Sequence, residues 1–166
     1  MKSSGVKFRV ASAKSDLEPI IELARNAHSE SYFAEISFSE AKVKRIVTEA
    51  IEKPKTHCLF LASRNGDLVG IGGCIANEFY IGEGEFLTTI HTLAVKKAER
   101  ARLDGGKAGL GLLDAIRRWS EIRNVKRILF HATAAIDIER TDGLMTKLGY
   151  DRLGTSFCLD LRNNRL

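Results

Sequence analysis

The stretch Asp104-Gly105-Gly106-Lys107-Ala108-Gly109-Leu110-Gly111-Leu112-Leu113 is rich in glycine and then turns apolar. Upstream, Leu93-Ala94-Val95 reads as the end of a strand, followed by eight mostly charged residues. Downstream, Leu112, Leu113, Ile116, Trp119 and Ile122 recur at helical spacing as far as about Arg123. The segment is therefore a strand, a glycine turn and a helix. Glycines let a backbone approach an anion closely. The first turn of a helix adds unpaired amides and a partial positive charge. Together they suit a pyrophosphate, although on glycine content alone a purely structural turn fits equally well. The turn lacks the Gly-Lys-Ser/Thr ending of a P-loop, and no Gly-x-Gly-x-x-Gly follows the first strand.

Working outward, Phe8–Ala11 is expected to be a short first strand, and Ser15-Asp16-Leu17-Glu18 a capping box opening a helix. Leu17, Ile20, Ile21, Ala24 and Ala27 make that helix's apolar face, with Pro19 tolerated in its first turn. A second helix carries Val43, Ile46, Val47 and Ala50 and should stop before Pro54. His57–Ala62 and Leu68–Ile75 are apolar runs joined by Arg64-Asn65-Gly66-Asp67, a hairpin signal. A fourth strand covers Phe86–Val95, and a fifth Arg127–Ala132. A helix over Ile138–Leu148 ends at Gly149, and Thr155–Leu161 reads as a last strand. A hairpin needs antiparallel neighbours, whereas strand–helix–strand needs a parallel pair. The expected class is α/β: a mixed, partly antiparallel sheet flanked by helices, in one domain over residues 1–166.

The 166 residues suffice for one unaided core, and 44% hydrophobic with 28% charged residues is ordinary globular composition. No apolar run is long enough for a membrane span, and Met1–Gly5 has no apolar stretch after its lysine, so no membrane and no export are expected. Cys58, Cys74 and Cys158 lack metal-ligand spacing and read as buried thiols in a reducing, cytoplasmic setting, with no metal. The net charge of +5 is compatible with anionic partners, but the basic residues are dispersed and no nucleic-acid motif accompanies them.

In element order, nearly the whole chain resembles the GCN5-related N-acetyltransferase (GNAT) superfamily. Three stretches carry the resemblance: Ile90-His91-Thr92-Leu93-Ala94-Val95 is similar to that family's fourth strand, Asp104–Leu113 to its pyrophosphate loop, and Lys147-Leu148-Gly149-Tyr150 to the turn after its fourth helix. The Gly-Gly-x-Ala-Gly loop, with Asp137-Ile138-Glu139-Arg140 later, is similar to phage-encoded members, whose setting would be the host cytoplasm. The resemblance implies acetyl-CoA, or another acyl-CoA, held where the fourth and fifth strands splay apart. Leu93, Ala94 and Val95 would then face the pantetheine arm, and Gly105, Gly106, Lys107, Ala108, Gly109 and Leu110 the pyrophosphate. Arg102 and Lys107 would add positive charge or simply be solvated. Asp104 stands where the family usually has Arg or Gln; it repels a pyrophosphate unless it points away or caps the helix, as aspartate does well.

The implied reaction is acyl transfer to a primary amine of a small molecule or peptide. It needs a base for the amine and an acid for the leaving thiolate. The family's glutamate position is Thr89 here and its tyrosine position is Met145, so the usual pair is missing. His91, two residues beyond Thr89 and on the same face unless a bulge intervenes, and His131 near the end of the fifth strand are the substitutes, each also readable as a core histidine. Glu85 shares strand parity with Thr89. Tyr150 reads as packing. Tyr32, Phe33 and Tyr80 are candidate acceptor contacts or loop anchors. The alternatives are modification of DNA bases and a degenerate, virion-associated binding module; oligomeric state is expected to be monomer or homodimer.

Overall fold

The computed structural model describes residues 5–102, 104–131 and 138–154. Five strands form one sheet in the order β1-β2-β3-β4-β5: β1 Lys7–Val10, β2 His57–Arg64, β3 Asp67–Glu78, β4 Phe86–Val95 and β5 Arg127–Phe130. The first four are antiparallel to their neighbours and β4–β5 is parallel, giving the mixed sheet expected. Asn65 and Gly66 form the two-residue β2–β3 turn with φ of 55° and 93°, the positive values such turns require. Arg64 and Asp67 pair as the ends of longer strands than the apolar runs alone marked. The strand expected over Thr155–Leu161 lies outside the described residues, as does Cys158.

Helices α1 Leu17–Ser29 and α2 Glu40–Glu52 cover one face of the sheet. There Ile20, Leu23, Val47 and Ala50 pack on Leu59, Leu61 and Ile71. A short α3, Lys97–Arg100, occupies the charged stretch that carried no helical pattern. Helices α4 Gly106–Ile122 and α5 Ile138–Lys147 lie on the other face. Here Leu112, Ile116, Trp119 and Met145 meet Cys58, Phe60, Cys74 and Ile90. The alternation of Cys58, Leu59, Phe60 and Leu61 between the two cores is the two-residue period of a strand buried on both faces. Thr88 at its centre is satisfied by the Ser120 hydroxyl, 2.8 Å away. Burial pushes the Cys58 and Cys74 thiols up to about 11 and about 12, so both are unreactive at neutral pH.

The capping box at the start of α1 does not form as expected. A turn of 3-10 helix, Lys14–Asp16, precedes α1, and the Asp16 carboxylate turns back to accept from the amides of Ser12 and Ala13. It also accepts two hydrogen bonds from Arg9, at 2.5 and 2.9 Å. The Arg9 contact, helped by those amides, holds Asp16 down to about 2 from 3.8. A depressed folded-state pKa adds stability above pH 4 that is lost as pH falls toward 2. Asp16→Asn is expected to cost about 1–2 kcal/mol at pH 6, reduced from the full shift because Arg9 is half exposed. Urea melts should show the wild type losing that margin between pH 4 and 2 while the variant does not.

Candidate active site

The parallel ladder runs from Leu87–Arg127 to Ile90–Phe130 and stops. β4 continues to Val95, still paired to β3 on one side, while its other edge has no strand partner among the described residues. Among the described residues the parallel pairing therefore ends at Ile90, and this end of the β4–β5 pair is called the fork below. At the same point the β3–β4 register shifts: Cys74 faces Ile90, but Gly73 faces Thr92. His91 is the extra residue, a bulge in the strand. Simple alternation from Thr89 does not apply to it, which corrects the parity expectation.

The His91 ring lies over Gly73. A Cβ built at Gly73 would stand 2.6 Å from the ring's Cε1, so the ring occupies the place a side chain would take. His91 also lines a cavity of about 370 Å³ between α2 and the sheet, with Arg45, Glu49, His57, Ile75 and Thr92. Its edge is open to solvent, yet the surrounding protein lowers its pKa from the usual 6.5, with the charge of His57 a smaller contribution. Nδ1 of His91 meets the Thr92 hydroxyl at 3.0 Å, leaving Nε2 for an incoming group. Gly73→Ala is expected to push the ring aside and reduce any turnover that depends on it by on the order of 10²-fold. The thermal melt should move little, because the conflict is with a solvent-edged ring. Unchanged turnover would remove the ring's position from the mechanism.

His131 directly follows the last paired residue of β5 and is exposed, so the two histidines each come one residue after the Ile90–Phe130 pair. Glu85 is not brought to them. It precedes β4 in an exposed turn, about 20 Å from His91 along the strand. Tyr32 and Phe33 pack edge to face at 5.2 Å in the α1–α2 loop, which Glu30 ties to α3 through Arg100. Tyr80 is 86% exposed in the β3–β4 turn. α3 and that turn lie at opposite ends of β4, some 30 Å apart, so these aromatics do not form one wall. Arg45, Glu49 and His57 were not legible as site residues; only the β2–β3–β4 register carries His57 to His91.

The glycine turn is held by a charged web. Arg64, at the end of β2, donates to Glu99 at 2.6 and 2.9 Å and to Asp104 at 3.2 Å. Arg64 and Glu99 are both nearly inaccessible to solvent, at 8% and 5%. Arg102 and then Arg64 hold the Asp104 carboxyl below its ordinary value. Asp104 makes no capping bond; Gly105 is the N-cap of α4. Of the two expectations for Asp104, pointing away is the one realised. Counting Lys107, which lies 3.8 Å from Asp104, three cations face two carboxylates, so the turn stays net positive. Gly105 is buried where a Cβ would meet the Glu99 carbonyl oxygen at 2.3 Å, which lets α4 begin directly against α3. The Gly105 and Lys107 amides donate to the carbonyls of Arg102 and Asp104, so these two are not free for an anion.

No protein-family model matches the chain, and no curated protein matches its sequence. Solved structures do. The aminoglycoside N-acetyltransferase AAC(6')-Iy in complex with CoA superposes with a TM-score of 0.73 at 15% identity, over 97% of each chain. A predicted acetyltransferase with acetyl-CoA from Clostridium acetobutylicum gives 0.69 at 15% identity, over 98% of this chain and all of the other. An aminoglycoside acetyltransferase from an uncultured soil metagenomic sample, in complex with sisomicin, gives 0.66 at 20% identity over 94% and 96%. The fold is the GNAT fold. Within this GNAT fold, Met145 is packed in the core on the α4 face, so no acid stands at that position. Tyr150 packs against the same core, where burial pushes its hydroxyl pKa up, in keeping with a packing role. No helix among the described residues is long and apolar enough to cross a membrane.

Proposed function

We propose that the protein is an acyl-CoA-dependent N-acyltransferase, most simply transferring acetyl from acetyl-CoA to a primary amine. The observation that carries this reading is that, among the described residues, the parallel β4–β5 pairing ends at Ile90–Phe130 while β4 runs on to Val95, with the glycine turn and α4 following from that end. The residues present fit the cofactor. The edge at Leu93, Ala94 and Val95, which has no strand partner among the described residues, suits the amides of a pantetheine arm. The start of α4, with Gly106 and Lys107 exposed in its first turn, Gly105 and Ala108 buried beneath them and Gly109 and Leu110 behind, suits a pyrophosphate beside the charge of Arg102 and Lys107. Bound there, an acyl-CoA supplies an activated thioester carbonyl. The CoA and acetyl-CoA named with two structural neighbours support this choice.

His91 takes the amine's proton at Nε2: its lowered pKa keeps it neutral near pH 7, as a base must be. His131, directly after β5, is assigned the return of a proton to the leaving sulfur. Glu85 has no role in this scheme, and Tyr32 and Phe33 are better placed than Tyr80 to close over the fork. Unreactive, reduced thiols accord with a cytoplasmic setting. The narrower phage likeness, and with it modification of DNA bases, rests on sequence alone. Steady-state release of CoA thiol from acetyl-CoA, measured with a panel of primary amines, tests the proposal. Amine-dependent release is expected; release that no amine accelerates counts against it.

A further inference from the structure

The cavity beside His91 bears on which amines the fork accepts, an inference that rests on the acyltransferase reading above. Arg45 and Glu49 stand one helical turn apart on α2 and both line it. Glu49 is engaged by Lys53 at 3.3 Å. Arg45 has no acidic partner among the described residues; Glu40, the acid one turn earlier on α2, is taken by Lys44 at 2.8 Å and Arg25 at 3.3 Å. The cavity wall thus presents an uncommitted guanidinium and a neutralised carboxylate. Of two further acids, Glu30 pairs with Arg100, and Glu85 lies in the turn before β4. Ile46, Ala50 and Ile75 add apolar lining to the same cavity. At about 370 Å³ the cavity lies at the low end of ligand-pocket sizes, which suits a small acceptor.

We propose that the acceptor is a small amine carrying an acidic group on a short aliphatic spacer, with the acidic group against Arg45 and the amine against His91. An aminocarboxylic acid is the simplest member of the class, because guanidinium matches carboxylate with two parallel hydrogen bonds. The amine end loses its proton to His91, and its nitrogen forms the new amide bond as the thioester's carbon–sulfur bond breaks.

The test compares paired acceptors that differ only in the acidic group: β-alanine with β-alaninamide, and phosphoethanolamine with ethanolamine, beside spermidine and sisomicin as cationic amines. Acetyl transfer is followed as kcat/KM, and binding of each acceptor is followed by calorimetry. The carboxylate should exceed its amide by about 10- to 100-fold, as expected for a charge-assisted contact. A preference confined to the phosphate pair would keep the anionic class and identify phosphate as the acid. In Arg45→Ala the ratio within a pair should collapse toward one, and in Arg45→Glu it should invert. Arg45 is exposed, so neither change threatens the fold. Equal or better use of the amides or of spermidine by the wild type overturns the proposal, as does a ratio insensitive to position 45. Failure of the protein to bind acetyl-CoA overturns instead the acyltransferase reading beneath it, which calorimetry with acetyl-CoA alone detects separately.

Discussion

Arg64→Met is expected to destabilise the protein by about 3–5 kcal/mol and to weaken binding of acyl-CoA at the same time. Removing one member of a buried ion pair leaves the other charge unmatched in a poorly solvated place. Here Glu99 would keep only Arg102, 3.9 Å away, to match its charge at 5% exposure, and Asp104 would lose one of its two guanidinium partners. For a chain of this length the thermal midpoint should fall by roughly 10 °C. The effect on the glycine turn is separable from the effect on stability. Glu99→Gln in the same chain removes the Glu99 charge and should recover part of the midpoint. It should not restore affinity for CoA, because Asp104, now without its bond to β2, is held only by Arg102 and Lys107 of the turn itself and no longer fixes that turn to the sheet. A double variant that regains full CoA affinity would show that the web serves stability alone.

His91→Ala is expected to lower kcat by about 10²–10⁴-fold, the range for losing a positioned base, with CoA affinity retained. The pH dependence gives a sharper reading than the rate. A base acts when unprotonated, so kcat should rise with pH, and the lowered pKa of His91 places the midpoint below 6.5. Removing the ring should abolish that limb. His57 carries part of the lowering, so His57→Ala should move the midpoint modestly toward 6.5 while leaving the limb in place. Full turnover in His91→Ala would move the base elsewhere, with His131 the next to test.

Much of the architecture was legible because each element announces itself locally. The Asn65-Gly66 turn, the apolar face of α4 and the left-handed Gly149 depend on residues within a few positions of one another. α3 was not legible because three charged residues and one alanine show no apolar period; its place is set by Glu99 reaching Arg64 across 35 positions of sequence. The same holds at the site. His91 was visible as a candidate, but its bulge was not, since a register shift is a property of two strands rather than one. Gly73 looked like one more small residue in a glycine-rich strand until the ring was found above it. Asp104 looked like a cap, the commonest local role for aspartate before a helix. A tertiary partner from β2 outcompetes the local amides. Distant pairing decided each of these cases.

The most direct measurement is a calorimetric titration of acetyl-CoA into the purified wild-type protein, beside the same titration of Gly105→Val. A buried position with a carbonyl oxygen 2.3 Å from any Cβ cannot take valine without moving the start of α4. One-site binding to the wild type, lost or much weakened in the variant, is the expected result. A wild-type protein that binds no acetyl-CoA, or a variant that binds it equally well, would contradict the assignment of the fork and its glycine turn to acyl-CoA.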